Sequence, residues 1–428
     1  MTNSPTAAHA DATPRVDTGK VSFASLGLVR ALVQAAAASG FDQPTPIQRE
    51  AIPAVLRGRD VIGSAQTGSG KTAAFALPIL HRIYAAPRHS PLRVHALVIV
   101  PARELATQVG AVIRELADHL PERVKVAVLF GGVSINPQMM GLRGGAQAVV
   151  ATPGRLLDLV EHNALDLSHV EMVVLDEADR LLELGFADEM ARVLALLPTA
   201  RQTLLFSATF PKAVQALADD LLRDPVRVEI EAAPADAPDI EQRALLVDTA
   251  RRTPLLAHLI KQHEWSHALV FVATKYASGH VAEKLRRQGI DAGALSGDLT
   301  QGARTQVLES FKAGRLRVLV STDVAARGID IAGLPIVVNY DLPRSAVDYV
   351  HRIGRTGRAG LAGVALSFIT ADAEAHFRLI EKRQGKRVPR ESITGFEPLE
   401  VASEAAATGG VKGLRKSKKD KLREAAGG

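Results

Sequence analysis

The sequence predicts an α/β protein with two doubly wound parallel sheets in tandem. Its 428 residues are too many for one domain with a single hydrophobic core, because domains seldom grow beyond about 250–300 residues. Both halves alternate short apolar runs with longer helical patterns, and a segment rich in Ala, Pro and Asp, 231–240, separates them. Continuous apolar strands between helices are typical of a parallel sheet that is covered on both faces.

Composition sets the expected domain boundaries. We place a disordered leader at 1–20, a first domain at 21–230, a linker at 231–240, a second domain at 241–385 and a basic flexible tail at 386–428. The leader lacks the basic-then-apolar order of a signal peptide, and no apolar run is long enough to span a membrane. The chain has no cysteine, which excludes disulfides and cysteine nucleophiles. We expect a cytoplasmic protein without membrane contact.

Apolar runs mark the expected strands. Those of the first half are 60–65, 96–102, 127–132, 148–154, 172–178 and 203–209. Those of the second half are 268–274, 293–298, 317–323, 335–343 and 363–370. Most of these runs finish in polar, glycine or hydroxyl residues. Because open α/β sheets bind ligands at the carboxyl ends of their strands, we expect the functional sites there.

The segment AQTGSGKT at 65–72 has the character of a phosphate loop. Gly68 and Gly70, on either side of Ser69, allow successive backbone N–H groups to point at phosphate oxygens. Lys71 supplies a mobile cation for the outer phosphates, and the Thr72 hydroxyl is a ligand for Mg²⁺. Alanine stands at position 65, where the strict pattern has its first glycine. The loop alone is therefore not decisive.

The segment VVLDEAD at 173–179 completes a nucleoside triphosphate and magnesium site. Its apolar strand ends in carboxylates, of which Asp176 is placed to hold the metal, partly through water. Glu177 is placed to orient an attacking water. A solvated acidic turn is the alternative, but the preceding VVL run demands burial. The second half has a similar rhythm but no G-K-[ST] sequence, so we expect one ATPase site.

Net charge is +6, and much of it lies in the last residues. Segment 411–428 contains seven Lys or Arg against two Asp or Glu, so the rest of the chain is close to neutral. Such a tail suits sequence-independent contact with nucleic-acid phosphates. A tail that only improves solubility is the alternative interpretation.

Taken together, the ordered motifs resemble those of the DEAD-box RNA helicases, most closely the bacterial RhlE-type group. The resemblance runs from Phe23 to Lys386. It rests on GFDQPTPIQ at 40–48, AQTGSGKT at 65–72, DEAD at 176–179, SAT at 207–209, VSTDVAARGID at 320–330 and HRIGRTGR at 351–358. It implies two tandem RecA-like domains of the P-loop NTPase superfamily, in helicase superfamily 2.

The resemblance assigns GFDQPTPIQ to adenine recognition. The Gln48 carboxamide has one donor side and one acceptor side, which match the N6 and N7 edge of adenine and select ATP over GTP. Phe41 is a candidate to pack on the base, with an ordinary core position as the alternative. Asp330 is the family's candidate contact to the ribose.

In HRIGRTGR, Arg355 and Arg358 lie three residues apart in a glycine-rich segment. A guanidinium group is always charged and suits a phosphoryl transition state. The resemblance implies that both are arginine fingers, while a basic surface facing RNA is the alternative, chiefly for Arg358. It also implies a coupling role for Ser207, Thr209 and His351.

The resemblance implies further that seven residues contact the RNA sugar-phosphate backbone. They are Arg103, Gly131, Gly132, Thr152, Arg155, Thr274 and Thr322. Few aromatic residues lie in these motifs, which favours sequence-independent binding over base stacking. Two departures from the family pattern are Ala102 in place of threonine and Ser296 in place of histidine.

These observations predict an ATP-dependent RNA helicase that uses ATP and Mg²⁺ and couples hydrolysis to local unwinding or RNA–protein remodelling. Its expected partner is RNA, with ribosomal or RNA-decay proteins as further candidates, and we expect a monomer. An ATP-gated RNA clamp with little productive unwinding is one alternative. A DNA-directed motor is another, and RNA discrimination through the 2′-hydroxyl separates it from the RNA enzyme.

Overall fold

In the computed structural model, residues 21–65, 68–230, 240–326, 333–357 and 362–403 are described. The chain divides into two compact units after Glu231, inside the segment predicted as the linker. Each unit contains one seven-stranded sheet whose strands are all parallel. Two doubly wound parallel sheets in tandem are therefore confirmed.

The first unit has the strand order β3-β4-β2-β5-β6-β1-β7. Its strands are β1 Val61–Ser64, β2 Ala96–Ile99, β3 Val126–Leu129, β4 Ala148–Ala151, β5 Met172–Asp176, β6 Gln202–Ser207 and β7 Val226–Glu229. Its α-helices are α1 Arg30–Ala38, α2 Pro46–Leu56, α3 Lys71–Ala85, α4 Arg103–Asp118, α5 Asn136–Gly141, α6 Pro153–Glu161, α7 Ala178–Glu183, α8 Ala187–Ala195 and α9 Lys212–Leu221. A short 3₁₀ helix at Phe23–Leu26 precedes them.

The second unit has the order β10-β11-β9-β12-β13-β8-β14. Its strands are β8 Ile240–Leu246, β9 Ala268–Phe271, β10 Ala292–Leu295, β11 Val318–Ser321, β12 Ile336–Asn339, β13 Gly363–Ile369 and β14 Arg390–Ser392. Its α-helices are α10 Arg252–Gln262, α11 Lys275–Arg286, α12 Gln301–Lys312, α13 Asp323–Ala326, α14 Ala346–Ile353 and α15 Glu374–Gln384. Two 3₁₀ turns lie at Thr249–Arg251 and Ala371–Ala373.

The apolar runs form strands because both faces of each sheet are covered. In β2, Leu97 packs into one hydrophobic cluster and the next residue, Val98, into another. Alternate residues of a strand point to opposite faces, so a strand that is buried on both sides must be apolar throughout. Among the described residues, no helix is both long and apolar enough to cross a bilayer.

The predicted start of the tail at residue 386 is wrong. Strand β14 pairs with β8, and residues 390–403 continue along the second unit as a segment that we call the C-terminal strap. The Phe396 ring lies 5.4 Å from that of His258, and Asp248 accepts hydrogen bonds from the backbone N–H groups of Leu399 and Glu400 at 2.8 and 2.9 Å. The rest of the predicted tail, 404–428, and the leader, 1–20, lie outside the described residues.

An ionic cluster explains why this polar strand belongs to the sheet. Arg390 pairs with Glu374 at 3.0 Å and with Glu381 at 2.8 Å, and the Glu381 side chain is buried. The bond to Arg390 lowers the pKa of the Glu381 carboxyl. Next to it in the strand, Glu391 pairs with Arg243 of β8 at 2.6 Å. Charge pairing therefore replaces apolar burial at this edge of the sheet.

Candidate functional site

Most predicted site residues of the first unit lie at the carboxyl ends of its strands, which we call the carboxyl edge of the sheet. The strands are parallel, so the loops that follow them emerge on the same side. That edge holds the phosphate loop after β1, Arg103 after β2, Gly131 and Gly132 after β3, Thr152 after β4, Asp176 and Glu177 at the end of β5, and Ser207 and Thr209 at the end of β6. The fold thus gathers residues that are far apart in the sequence.

The phosphate loop is shaped for an anion. Gly68 and Gly70 have φ angles of 87° and 94°, which glycine adopts without a steric penalty. Helix α3 begins directly after Gly70, so its N–H groups and its dipole face the loop. The buried Ser69 hydroxyl has no hydrogen-bond partner among the described residues, and the Lys71 ammonium donates to the Ala65 carbonyl at 2.6 Å. This hydroxyl and this ammonium fit a phosphate group.

Gln48 links helix α2 to the phosphate loop. Its Oε1 accepts from the Thr45 N–H at 2.9 Å, and its Nε2 donates to the Gly70 carbonyl at 3.0 Å. A Cβ atom on residue 70 would lie 2.4 Å from that Nε2, so glycine is required for this close approach. The amide keeps one N–H and one lone pair for a ligand. Adenine recognition stays a prediction, and half-buried Phe41 packs against the core cluster of this unit.

The carboxylates lie at the end of β5, as predicted. Asp176 is buried, with 3% of its surface exposed. Burial raises the pKa of its carboxyl to about 7, although the nearby Lys71 charge lowers it, and the Glu177 carboxylate raises it further. The Glu177 N–H donates to Asp176 Oδ1 at 3.0 Å, and the Glu177 backbone has a φ angle of 52° before α7 begins.

The donor chemistry of this edge fits Mg²⁺. Asp176 offers a carboxylate, and half-buried Thr72 offers a hydroxyl from the first turn of α3. Both are hard oxygen ligands, and Mg²⁺ is usually held by one or two carboxylates together with water and substrate phosphates. Over the described ranges, no cluster of three or more His, Cys, Asp or Glu forms a cage for a metal.

Asp179 joins the carboxylate segment to residues 207–209. Its Oδ2 accepts from the Thr209 N–H at 3.0 Å and from the Thr209 hydroxyl at 2.7 Å. The Ser207 hydroxyl accepts from the Asp179 N–H at 3.3 Å and donates to the Thr209 carbonyl at 2.7 Å. The sequence interpretation gave Asp179 no individual role. Its burial beside two hydroxyl residues is a tertiary feature, so the only available signal was its place in the DEAD segment.

Two predicted RNA residues lie together after β2 and β3. A Cβ atom on Gly132 would lie 3.4 Å from Arg103 Nη1, so this guanidinium lies against the glycine loop. Gly132 has a φ angle of 79°. Arg103 Nε donates to Glu104 Oε1 at 2.8 Å. The Arg103 side chain is 19% exposed, so a partly buried guanidinium that pairs with Glu104 lies beside a loop of small residues at the carboxyl end of the sheet.

Arg155 has a different environment from the one predicted. Its side chain is 7% exposed, and its Nη2 donates to the Val133 carbonyl at 2.6 Å. Its Nε lies 3.6 Å from Asp158 Oδ2. Through the bond to Val133, Arg155 fixes the loop that follows Gly132, and its contact with an RNA phosphate stays a prediction. Thr152, at the N-cap position of α6, is also buried.

In the second unit, both predicted threonines cap helices. Thr274 is exposed, and its hydroxyl accepts from the Ala277 N–H at 3.1 Å at the start of α11. Thr322 is buried, and its hydroxyl accepts from the Ala325 N–H at 3.3 Å at the start of α13. They follow β9 and β11, which are neighbours in the sheet. Thr274 is the more accessible of the two to a ligand.

The HRIGRTGR segment begins on α14. His351 and Arg355 are both half-buried, whereas Arg358 and Asp330 lie outside the described residues. Arg352, which lies between His351 and Arg355, is 2% exposed. It donates from Nε and Nη2 to the two carboxylate oxygens of Asp323 at 2.6 and 2.7 Å, and from Nη1 to Asn339 Oδ1 at 3.1 Å. The sequence analysis missed this ion pair, because Arg352 and Asp323 are distant in the sequence and no local pattern indicates that they pair.

Family comparisons agree with this geometry. The DEAD/DEAH box helicase model matches residues 45–217, and the helicase conserved C-terminal domain model matches residues 251–360. ATP-dependent RNA helicase DeaD of Escherichia coli K12 is 42% identical over 89% of this chain and 60% of the relative. DEAD-box ATP-dependent RNA helicase CshA of Bacillus cereus is 41% identical over 86% of this chain and 69% of the relative.

Solved structures show the same fold. Saccharomyces cerevisiae Dbp5, bound to RNA and ADP BeF3, has a TM-score of 0.77 and 33% identity, with 87% of this chain and 95% of that chain covered. A DEAD box protein of Methanococcus jannaschii has a TM-score of 0.50 and 36% identity, with 86% of this chain and 99% of that chain covered. These matches confirm the tandem RecA-like domains that the resemblance implied.

A phosphate loop and a carboxylate pair at one sheet edge, followed along the chain by a second parallel sheet, define a two-domain helicase of the P-loop class. Within that class, the chain belongs to the DEAD-box ATP-dependent RNA helicase family. It spans about three fifths of the length of the DeaD relatives. The finer RhlE-type assignment stays a prediction, since the relatives named above are DeaD and CshA proteins.

Proposed function

We propose that this protein is an ATP-dependent RNA helicase that hydrolyses ATP when RNA is bound and separates short duplexes or remodels RNA–protein complexes. The observation that carries the proposal is the carboxyl end of the first unit's sheet. There Ser69 and Lys71 lie in a loop shaped for phosphate after β1, and Asp176 and Glu177 lie at the end of β5, with β6 between these two strands. Family membership and the names of the relatives support it.

In this proposal, the chain divides the chemistry among a few groups. Ser69, Lys71 and the first N–H groups of α3 bind the phosphates, and Gln48 and Phe41 contact the base. Thr72 and Asp176 hold Mg²⁺, which when bound neutralises charge on the transferring phosphoryl group. Glu177 orients the attacking water. Asp330 contacts the ribose.

We propose that Arg355 and Arg358 supply positive charge to the phosphoryl group in the transition state. Ser207, Thr209 and His351 couple the state of the nucleotide to RNA binding. The Asp179 contacts to residues 207–209 support this coupling within the first unit, because a shift of the carboxylate segment is transmitted directly to both hydroxyl residues. If ATP and RNA favour one conformation, each raises the affinity for the other.

We expect the chain to contact the sugar-phosphate backbone of RNA from the carboxyl ends of the strands in both units. Arg103, Gly131 and Gly132 present a cation and small residues in the first unit, and exposed Thr274 presents a hydroxyl in the second. Such contacts read phosphate and sugar, so they carry no sequence preference. The cytoplasmic location, the monomeric state and the ribosomal or RNA-decay partners stay predictions. Light scattering during size-exclusion chromatography checks the monomer.

The test compares ATP hydrolysis by the full chain alone, with single-stranded RNA and with DNA of the same sequence, and adds strand displacement of a short RNA duplex. We expect stimulation by RNA, little by DNA, and displacement that requires hydrolysable ATP. Equal stimulation by DNA would favour the DNA-directed motor. A long-lived RNA complex on a non-hydrolysable analogue, with no displacement under any condition, would favour the clamp.

A further inference from the structure

Tyr276 is unusual among the tyrosines of this chain. Two of the four, Tyr340 and Tyr349, are buried, and Tyr84 is 38% exposed, whereas Tyr276 is 80% exposed. It lies in the first turn of α11, two residues after the capping Thr274. That turn follows β9, a central strand, at the carboxyl edge of the second sheet. An aromatic side chain is therefore presented to solvent at the edge where open α/β sheets bind ligands.

A neighbouring ring supports the Tyr276 ring. The imidazole of His280 lies one helical turn further on, with a centroid distance of 5.6 Å and an interplanar angle of 16°. Residues four apart in a helix lie on the same face, so the two rings form a stacked pair on the solvent side of α11. The opposite side of the helix is buried through Val281, Ala282 and Leu285. The core thus fixes the helix that carries the exposed pair.

Basic groups flank the ring pair. Lys275 precedes Tyr276, and its ammonium pairs with Asp298 at 2.7 Å. Lys284, one turn beyond His280, is exposed and forms no ion pair among the described residues. Exposed aromatic rings interspersed with cations are the composition of single-stranded nucleic-acid grooves, where bases stack on the rings and cations follow the phosphates.

We infer that Tyr276, supported by His280, is a stacking platform for one nucleobase of a bound single strand, and that Lys284 contacts a phosphate of the same strand. The inference rests on the proposed RNA-binding function and adds a base contact to the backbone contacts proposed above. Every base has a π-face, so the contact tolerates any sequence while it fixes the position of the strand.

The test measures binding of a short single-stranded RNA to the full chain with Mg²⁺ and a non-hydrolysable ATP analogue. Stacking contributes about 1–3 kcal/mol per base, so Tyr276→Ala should raise the Kd about 5- to 150-fold. Tyr276→Phe keeps the ring and should stay within about twofold of the unaltered protein. Tyr84→Ala, which removes an exposed tyrosine from the first unit, is the matched control and should leave the Kd unchanged.

Two further measurements separate stacking from charge. 2-Aminopurine placed at each RNA position in turn should be quenched at one position, and that quenching should be lost in Tyr276→Ala but not in Tyr84→Ala. Lys284→Ala should lower the salt slope of log Kd by about one, whereas Tyr276→Ala should leave it unchanged, because stacking releases no counterions.

Failure of the inference is distinct from failure of the proposed function. If RNA neither binds the unaltered chain nor stimulates its ATP hydrolysis, the proposed function is wrong. If RNA binds and stimulates hydrolysis, but Tyr276→Ala matches Tyr84→Ala in Kd and in 2-aminopurine fluorescence, only the stacking platform is wrong.

Discussion

Glu177 has a backbone conformation that few residues other than glycine adopt. Its φ angle of 52° is left-handed, a region that costs about 1–2 kcal/mol for a residue with a Cβ atom. This residue joins β5 to α7, and the chain turns sharply there as it leaves the sheet. Strained residues that persist in this way cluster at functional sites.

Replacing Glu177 with glutamine tests its role. The amide keeps the shape of the side chain but does not act as a base or hold water in the same way, so kcat should fall by about 10²–10⁴-fold. ATP and RNA affinity should be retained. Asp188→Asn, an exposed change at the start of α8, is the control for loss of one charge. Turnover at the unaltered rate would show that Glu177 does not orient the water.

The pKa of Asp176 predicts a pH dependence of nucleotide binding. Burial raises this pKa to about 7, so protons compete with Mg²⁺ for the carboxylate as the pH falls through that value. Affinity for the magnesium complex of an ATP analogue should therefore weaken by up to about tenfold per pH unit below about pH 7. Titrations at several pH values measure it. Asp176→Asn should bind weakly at every pH, and an unchanged pH dependence in this variant would refute the assignment.

Among individual residues, the sequence predicted types and positions better than environments. Lys71, Asp176 and Glu177 lie where the motifs indicated, because glycine geometry and strand ends are local properties. The burial of Arg155 and the pairing of Arg352 were missed, because each guanidinium group contacts a residue that is distant in the sequence, Val133 and Asp323 respectively. An arginine in a motif reads as a surface cation until its partner is known.

At the scale of elements, most of the predicted strands are buried along their whole length, as in β2, β4, β5 and β6. The strands that escaped prediction lack this signal. In β7, which forms an edge of its sheet, only Val228 is buried. Strand β8 begins with Ile240, which the sequence analysis assigned to the linker, and it continues with the polar residues Glu, Gln and Arg. Strand β14 consists of Arg, Glu and Ser, and its place depends on ionic pairing with residues of β8 and α15 that no local pattern reveals.

The C-terminal strap should stabilise the second unit. Asp248 is buried and accepts two backbone N–H groups of the strap. Asp248→Asn loses the charged acceptor and should lower the free energy of unfolding of this unit by about 1–3 kcal/mol. Urea denaturation measures the loss. Asp291→Asn, at an exposed position in the same unit, should stay within about 0.5 kcal/mol, and equal stabilities for the two variants would mean that the strap does not contribute.

At the scale of the whole molecule, a substitution in the second unit should change the rate of ATP hydrolysis without changing the affinity for ATP, which the first unit is proposed to bind. Arg355→Ala should lower kcat by about 10³-fold or more with little change in ATP affinity, because a finger acts on charge that develops in the transition state. Arg344→Ala, an exposed arginine of the same unit, is the control. A raised KM with unchanged kcat would instead indicate a ground-state contact.

The distribution of charge over the chain predicts how salt affects RNA binding. Segment 411–428 carries seven Lys or Arg against two Asp or Glu, so its deletion should weaken RNA binding and reduce the salt slope of log Kd, because fewer counterions are released. Deletion of 1–20, which contains two basic and two acidic residues, is the charge-neutral control. The same slope after both deletions would reduce the tail to a solubilising role.

The amide of Gln48 has a consequence for the selection of the nucleotide. The side chain that is predicted to sense the purine also supports the turn that cradles the triphosphate, through the Gly70 carbonyl. Purine selection and nucleotide affinity therefore depend on the same amide group. A change at Gln48 intended to admit a different purine would loosen the hold on every nucleotide, so altered preference and lowered affinity should always appear together.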